Sequence, residues 1–258
     1  MSYIVRPKKS LGQHFLIDLN IAQAIADTLD NYKNTPILEV GPGMGVLTQY
    51  LLSKGHDLTV VELDHESIEY LQENFPELKG HILEEDFLKL DLSKLFSGNF
   101  CVIGNYPYNI SSQIFFKVLE YKDHIPCCSG MIQKEVAERM AGSKTYGILS
   151  VLLQAWYEIE YLFTVPEHVF NPPPKVKSAV IKMTRNQVRQ LGCNEPLFKR
   201  IVKTAFNQRR KTMRNSLKSM VGQDCKILAE PIFNERPERL SVKQFIDLTN
   251  LLESYIIK

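Results

Sequence analysis

Between residues 36 and 185, short apolar or β-branched runs alternate with amphipathic stretches, and this alternation leaves few folds open. Strands are predicted at 36–40, 58–62, 81–83, 100–104, 129–133, 157–165 and 178–184. A helical pattern runs through Leu47, Tyr50, Leu51 and Leu52 and stops at Gly55. A second covers 67–75, ending before Pro76, and a third covers 111–121 with Ile114, Phe115, Val118 and Leu119 on one face. Strands this apolar are buried on both faces, so the pattern predicts an α/β domain with a mostly parallel, doubly covered sheet. The last two strands are joined by Pro172-Pro173-Pro174 and no helix, which predicts an antiparallel hairpin at one edge. After Arg185 the alternation ceases. Helices are predicted at 197–206, 208–220 and 242–255, the last with Ser241 as N-cap. The expected organisation is an α/β domain over 1–187 and a small all-helical domain over 188–258.

The chain has 258 residues, 44 % of them hydrophobic and 23 % charged, which suits one large domain with a small second one and excludes a disordered chain. No stretch approaches the roughly 20 apolar residues of a membrane span, and the first nine residues hold no apolar core of a signal peptide. Cys101, Cys127, Cys128, Cys193 and Cys225 are odd in number, with no C-x-x-C spacing. A disulfide framework or metal site is therefore not expected, and a reducing cytoplasm is. The net charge of +2 hides a division. Residues 1–185 carry 17 Lys and Arg against 22 Asp and Glu, whereas residues 186–258 carry 14 against 7. An acidic body with a basic end points to a polyanionic partner.

Glu39-Val40-Gly41-Pro42-Gly43-Met44-Gly45 follows the first strand and precedes its helix. Glycines there let a ligand approach the backbone, and a helix N-terminus offers free N–H groups. Val46 stands where the dinucleotide fingerprint needs a third glycine. Glu62 ends the second strand, where a carboxylate can accept from ribose hydroxyls; Asp86 follows the third and can accept from an exocyclic adenine amine. The competing reading is a plain glycine turn with two exposed acids, and the matching strand-end positions favour a nucleoside cofactor.

Asn105-Tyr106-Pro107-Tyr108-Asn109 follows the fourth strand. The Asn105 side-chain oxygen and the Tyr106 carbonyl, presented by a turn that Pro107 constrains, are two acceptors for one amino group on a flat ring. Tyr108 can stack on that ring. Such a site orients the amine's lone pair toward an electrophile. The competing reading is a tight turn closing the core. Farther on, residues 199–218 hold Lys199, Arg200, Lys203, Arg209, Arg210, Lys211, Arg214 and Lys218 without one acid, a surface suited to phosphate.

With these residues in view, the sequence resembles the ribosomal RNA adenine N6-dimethyltransferase family. Lys8-Lys9-Ser10-Leu11-Gly12-Gln13-His14-Phe15-Leu16, the glycine loop, Asn105 to Ser111, Phe170 to Ser178 and Phe206 to Asn215 match the family's motifs in order. The resemblance implies a Rossmann-like methyltransferase sheet and S-adenosyl-L-methionine as cofactor. It implies cofactor contacts at His14, Leu16, Gly41, Gly43, Glu62, Asp86 and Asn105. It implies a target-base site at Asn105, Tyr106, Pro107, Tyr108 and Phe170, with Phe170 stacking opposite Tyr108, and no metal. RNA contacts are expected at Lys8, Lys9, Lys203, Arg209, Arg210, Lys211 and Arg214. The chain departs from the pattern twice: His14 replaces Asn and Tyr106 replaces Leu. The implied reaction is dimethylation of two adjacent adenosines in the 3′-terminal hairpin of small-subunit (16S) rRNA, by a cytoplasmic monomer acting on an assembling 30S particle. The alternatives are a large-subunit methyltransferase of the erythromycin-resistance type and a non-catalytic RNA-binding assembly factor.

Overall fold

The structure is a computed structural model that describes residues 5–142, 145–208, 210–222 and 225–256. The chain divides into two compact units, one of 1–137 with 158–185 and the other of 138–157 with 186–258.

In the first unit, β1 (Phe15–Leu16) precedes α1 (Leu19–Asp27). Then β2 (Ile37–Val40), α2 (Thr48–Ser53), β3 (Leu58–Glu62), α3 (His65–Asn74), β4 (Ile82–Glu84), α4 (Leu92–Leu95), β5 (Cys101–Asn105), α5 (Ser111–Glu120) and β6 (Cys127–Gln133) alternate. After α6 (Lys134–Met140) and α7 (Ile148–Gln154) come β7 (Tyr157–Val165), β8 (Phe170–Asn171) and β9 (Ser178–Arg185). Seven strands form one sheet in the order β4-β3-β2-β5-β6-β9-β7. From β4 to β6 every pairing is parallel, and β9 runs antiparallel to β6. β7 lies outside β9 at the edge, so the Pro-rich segment joins two neighbouring strands, as the sequence predicts. The chain winds outward from β2 to β4 and then returns to place β5 beside β2. Beyond the carboxyl ends of β2 and β5 lies the reversal point where doubly wound sheets bind ligands.

Local chemistry explains the elements. All four residues of β2 are buried, as a central parallel strand requires. α1 was not among the expected helices, yet its signals are present. The Asp18 carboxylate accepts from the N–H groups of Asn20 and Ile21, and Ala22, Ile25 and Ala26 are buried. β1 and β8 pair antiparallel, Phe15 with Asn171 and Leu16 with Phe170. His56 is buried, and neither ring nitrogen has a partner among the described residues. Burial pushes its pKa below the usual histidine value.

The second unit is helical. It holds α7 together with α8 (Glu195–Asn207), α9 (Met213–Val221) and α10 (Val242–Leu252). This division departs from the expected one at 187/188, because 138–157 belongs here. The reason is burial: Leu149, Val151, Leu152 and Leu153 of α7 are shielded, with α7 packed on α8 and α10. α8 buries Leu197, Phe198, Ile201, Val202 and Ala205. Ser241 and Gln244 form a reciprocal cap on α10. The helix expected from 208 begins only at Met213. A turn intervenes in which the Lys211 N–H donates to the Gln208 carbonyl, and the Met213 N–H donates to Glu235.

Candidate active site

The carboxyl ends of β2, β3, β4 and β5 open on one cleft with about 790 Å³ of empty space, part of it facing solvent. Gly41, Gly43, Glu62, Asp86, Asn105, Tyr106, Pro107, Tyr108 and His14 all line it. Four separate sequence motifs therefore meet because four strands end side by side.

The glycine loop is shaped to leave room. Gly41 has φ +68°, and a Cβ added there would meet no atom within 4 Å. A side chain at 41 would project into open space, and at Gly43 it would strike the Phe15 ring at 2.8 Å. Beneath this loop, Glu39 is fully enclosed and accepts from the Thr48 hydroxyl at 2.7 Å. Burial, opposed by that bond and reinforced by the nearby Glu62 carboxylate, pushes its pKa up to about 8. The sequence reading missed Glu39 as a special group, although an acid inside an apolar strand was the available signal.

Glu62 is 7 % exposed. Its Oε2 accepts from the Gly43 N–H at 3.1 Å, and its Oε1 accepts from Leu63 and Asp64 at 2.8 and 2.9 Å. Burial raises its pKa against the pull of these three bonds. A carboxylate has about four acceptor positions, so the main chain uses most of them and Oε2 keeps one. Asp86 Oδ1 accepts from the Leu88 N–H at 3.0 Å. Leu63 and Phe87, each directly after one of these acids, add apolar wall to the cleft.

At the end of β5, Asn105 Nδ2 donates to the His14 carbonyl at 3.0 Å. A carbonyl can only accept, so this bond fixes the amide orientation and leaves Oδ1 as an acceptor. The Tyr108 hydroxyl bonds to Ser178 Oγ. The Tyr108 ring lies against the His14 ring, with centroids 5.6 Å apart and planes at 28°. His14 Nδ1–H donates to the Pro172 carbonyl at 2.8 Å.

Three of the expected site residues have other neighbours in this structure. Phe170 does not face Tyr108; it is 3 % exposed in the apolar core with Leu16, its partner across β1 and β8. Burying so large a ring beside a strand pair is favourable by roughly 2–3 kcal/mol, and His14 supplies the ring beside Tyr108 instead. Leu16 is likewise in the core, and borders a smaller recess with Gly41, Gly43 and Asn105 but not the main cleft. The Lys8 ammonium, expected on RNA, bonds to Asp64 and lies 3.2 Å from Glu66. Asp64 is buried, but bonds from Lys8, Gln13 and Ser67 outweigh that burial and hold its pKa low.

Lys9, Lys203, Arg210, Lys211 and Arg214 are exposed. Arg214 Nε donates to the Leu228 carbonyl. Arg209 lies outside the described residues. Among the described residues, no group of three His, Cys, Asp or Glu is placed to hold a metal ion, and no helix is long and apolar enough to cross a membrane.

A family profile described as ribosomal RNA adenine dimethylase matches residues 4–254. The chain belongs to that family. A ribosomal RNA small subunit methyltransferase A of Parabacteroides distasonis is 72 % identical over 99 % of this chain and 97 % of its own length. Its counterpart from Flavobacterium johnsoniae is 58 % identical over 97 % of both. Among solved structures, a dimethyladenosine transferase from Plasmodium falciparum superposes with TM-score 0.74 at 22 % identity, covering 94 % of this chain and 98 % of that one. The 23S rRNA methyltransferase ErmE gives 0.68 at 24 %, covering 92 % and 99 %. These two establish the fold as that of Rossmann-like rRNA methyltransferases.

Proposed function

We propose that this family member dimethylates N6 of two adjacent adenosines in the 3′-terminal hairpin of small-subunit rRNA, using S-adenosyl-L-methionine. The observation that carries the reading is Asn105 in the cleft wall, its Nδ2 tied to the His14 carbonyl so that Oδ1 remains an acceptor, followed directly by the Tyr106 carbonyl and Pro107. Two acceptors so placed hold an amino group by both hydrogens and direct its lone pair outward. The name carried by the relatives favours the small subunit over the large one.

The cleft suits the cofactor. The open space at Gly41 admits a ligand against the backbone. The remaining acceptor position on Glu62 Oε2 suits a ribose hydroxyl, Asp86 suits a base amine, and Leu63 with Phe87 suits the faces of a flat base. When bound, the cofactor supplies a methyl group already activated by a sulfonium charge. Asn105 and Tyr106 hold the amine and stabilise the positive charge that grows on it. No general base is needed, since the amine proton leaves readily to water once the nitrogen is alkylated. Tyr108, its hydroxyl anchored on Ser178, offers a ring to a base that has left its stack. The exposed Lys9, Lys203, Arg210, Lys211 and Arg214 contact RNA phosphates.

The test supplies methyl-labelled cofactor and under-methylated small subunits, followed by mass spectrometry of the digested RNA. N6,N6-dimethyladenosine at two adjacent positions is expected. Its absence, or label confined to large-subunit RNA, overturns the assignment.

A further inference from the structure

The family pattern has leucine where this chain has Tyr106, and a phenol is a poor replacement for leucine unless the surroundings are built for it. We propose that the Tyr106 side chain is a positioning residue that sets where the amine-accepting loop stands, by spanning Gly130 and pinning the loop to β6. The inference rests on the target-amine role given above to the Tyr106 carbonyl.

Tyr106 is 1 % exposed, and its side chain is anchored on β6. Its hydroxyl donates to the Ser129 carbonyl at 2.7 Å and lies 3.3 Å from Cys128 Sγ. Its main-chain N–H donates to the Met131 carbonyl at 3.1 Å. Tyr106 is thus held at both ends to one strand, at residues 129 and 131. Two residues of strand cover about 6.6 Å, a span that a tyrosine can bridge from its N–H to its hydroxyl and leucine cannot. Residue 130 lies between the two pins, and there the ring passes close to the strand. A Cβ at Gly130 would strike the Gly104 carbonyl at 2.2 Å and Tyr106 Cε2 at 2.6 Å, and one at Gly104 would strike the Val40 carbonyl at 2.5 Å and stand 3.1 Å from Cε1, so close main chain and the ring both require glycine. Two glycines on neighbouring strands make the slot that the ring fills. Phe115 closes it edge-on, with centroids 5.5 Å apart.

The Tyr106 carbonyl lies between these pins and Pro107. A group so tethered to a central strand is held by the sheet and not by loop packing. Group transfer is sensitive to misplacement of the positioning groups by about an ångström. The second transfer is more so, because a secondary amine must fit between the same two acceptors with one hydrogen fewer.

The decisive variant is Tyr106→Phe, which keeps the ring and removes the Ser129 and Cys128 contacts. The wild type, assayed alongside, must yield dimethyladenosine, so failure of the activity itself is seen separately. For Tyr106→Phe, kcat is expected to fall about tenfold, with a larger share of product stopped at monomethyladenosine. KM values for RNA and cofactor are expected to hold, and cofactor affinity by calorimetry checks folding. Tyr106→Leu, carrying the family's residue, is expected to lose more in the same pattern. Wild-type kcat and product ratio in both variants would overturn the proposal and leave the ring as filler. Parallel loss of cofactor affinity and kcat would overturn it as well, since general damage and not positioning would then explain the effect.

Discussion

The strand-end cleft and the basic segment after Lys199 are opposites in how their side chains are held. In the cleft, Glu62 accepts three main-chain N–H groups, Asn105 donates to His14, and Tyr108 is fixed on Ser178. In the basic segment, Arg214 Nε donates to the Leu228 carbonyl, but no ion pair among the described residues engages Lys203, Arg210, Lys211 or Arg214. Chemistry demands groups placed before the reactants arrive, since reorganisation during the reaction raises the barrier. A phosphate backbone asks for mobile charge that can follow its ligand and release counterions. The acidic and basic halves of the chain are in this sense a rigid device and an adaptable one.

The largest test of that contrast is Asn105→Ala. Turnover is expected to fall about 10²–10³-fold, as when a preorganised transition-state hydrogen bond is removed, while RNA affinity in a filter-binding assay stays near wild type. Equal loss of both would erase the distinction between the two regions. The next test reverses charge with Arg210→Glu and Lys211→Glu together. RNA affinity is expected to drop, and the log–log salt dependence to flatten by about two, with cofactor affinity unchanged. An unaltered salt slope would remove this segment from the RNA surface.

The smallest effect lies under the glycine loop. Glu39 has its pKa raised from 4.5 to about 8 by burial, so between those values it is neutral when folded and ionised when unfolded. The unfolded chain then binds fewer protons, and stability falls as pH rises from 4.5 toward 8. Glu39→Gln removes this dependence and keeps an acceptor for Thr48. Its Tm advantage over wild type is expected to be larger at pH 8 than at pH 5, and a constant difference would show that Glu39 is ionised when folded.

Much of the cleft was legible because its parts are local. Glycines after a strand, acids at two further strand ends and Asn-Tyr-Pro-Tyr at a fourth are each readable in a few residues. Parallel strands that end together then bring them side by side. What escaped were long-range placements. Residues 15–16 and 170–171 are far apart in the chain, and two-residue strands carry no periodic signal. Their pairing nonetheless sends Phe170 into the core and leaves His14 beside Tyr108. Similarly, 138–157 reads as an interruption within the α/β domain until α7 is seen to bury its face on α8 and α10.

By itself, the sequence determined the alternation of strand and helix, the strand ends that carry the chemistry and the split of charge between the halves. Each follows from residue period and composition over a short window, because burial on one face or two dictates which positions are apolar. Only the tertiary structure decided which of the resembling motif residues reach the cleft. It also decided that Lys8 is engaged with Asp64 and that Tyr106 spans Gly130 to a neighbouring strand. Those outcomes depend on which distant atoms compete for the same space and the same hydrogen bonds, and no local pattern encodes that competition.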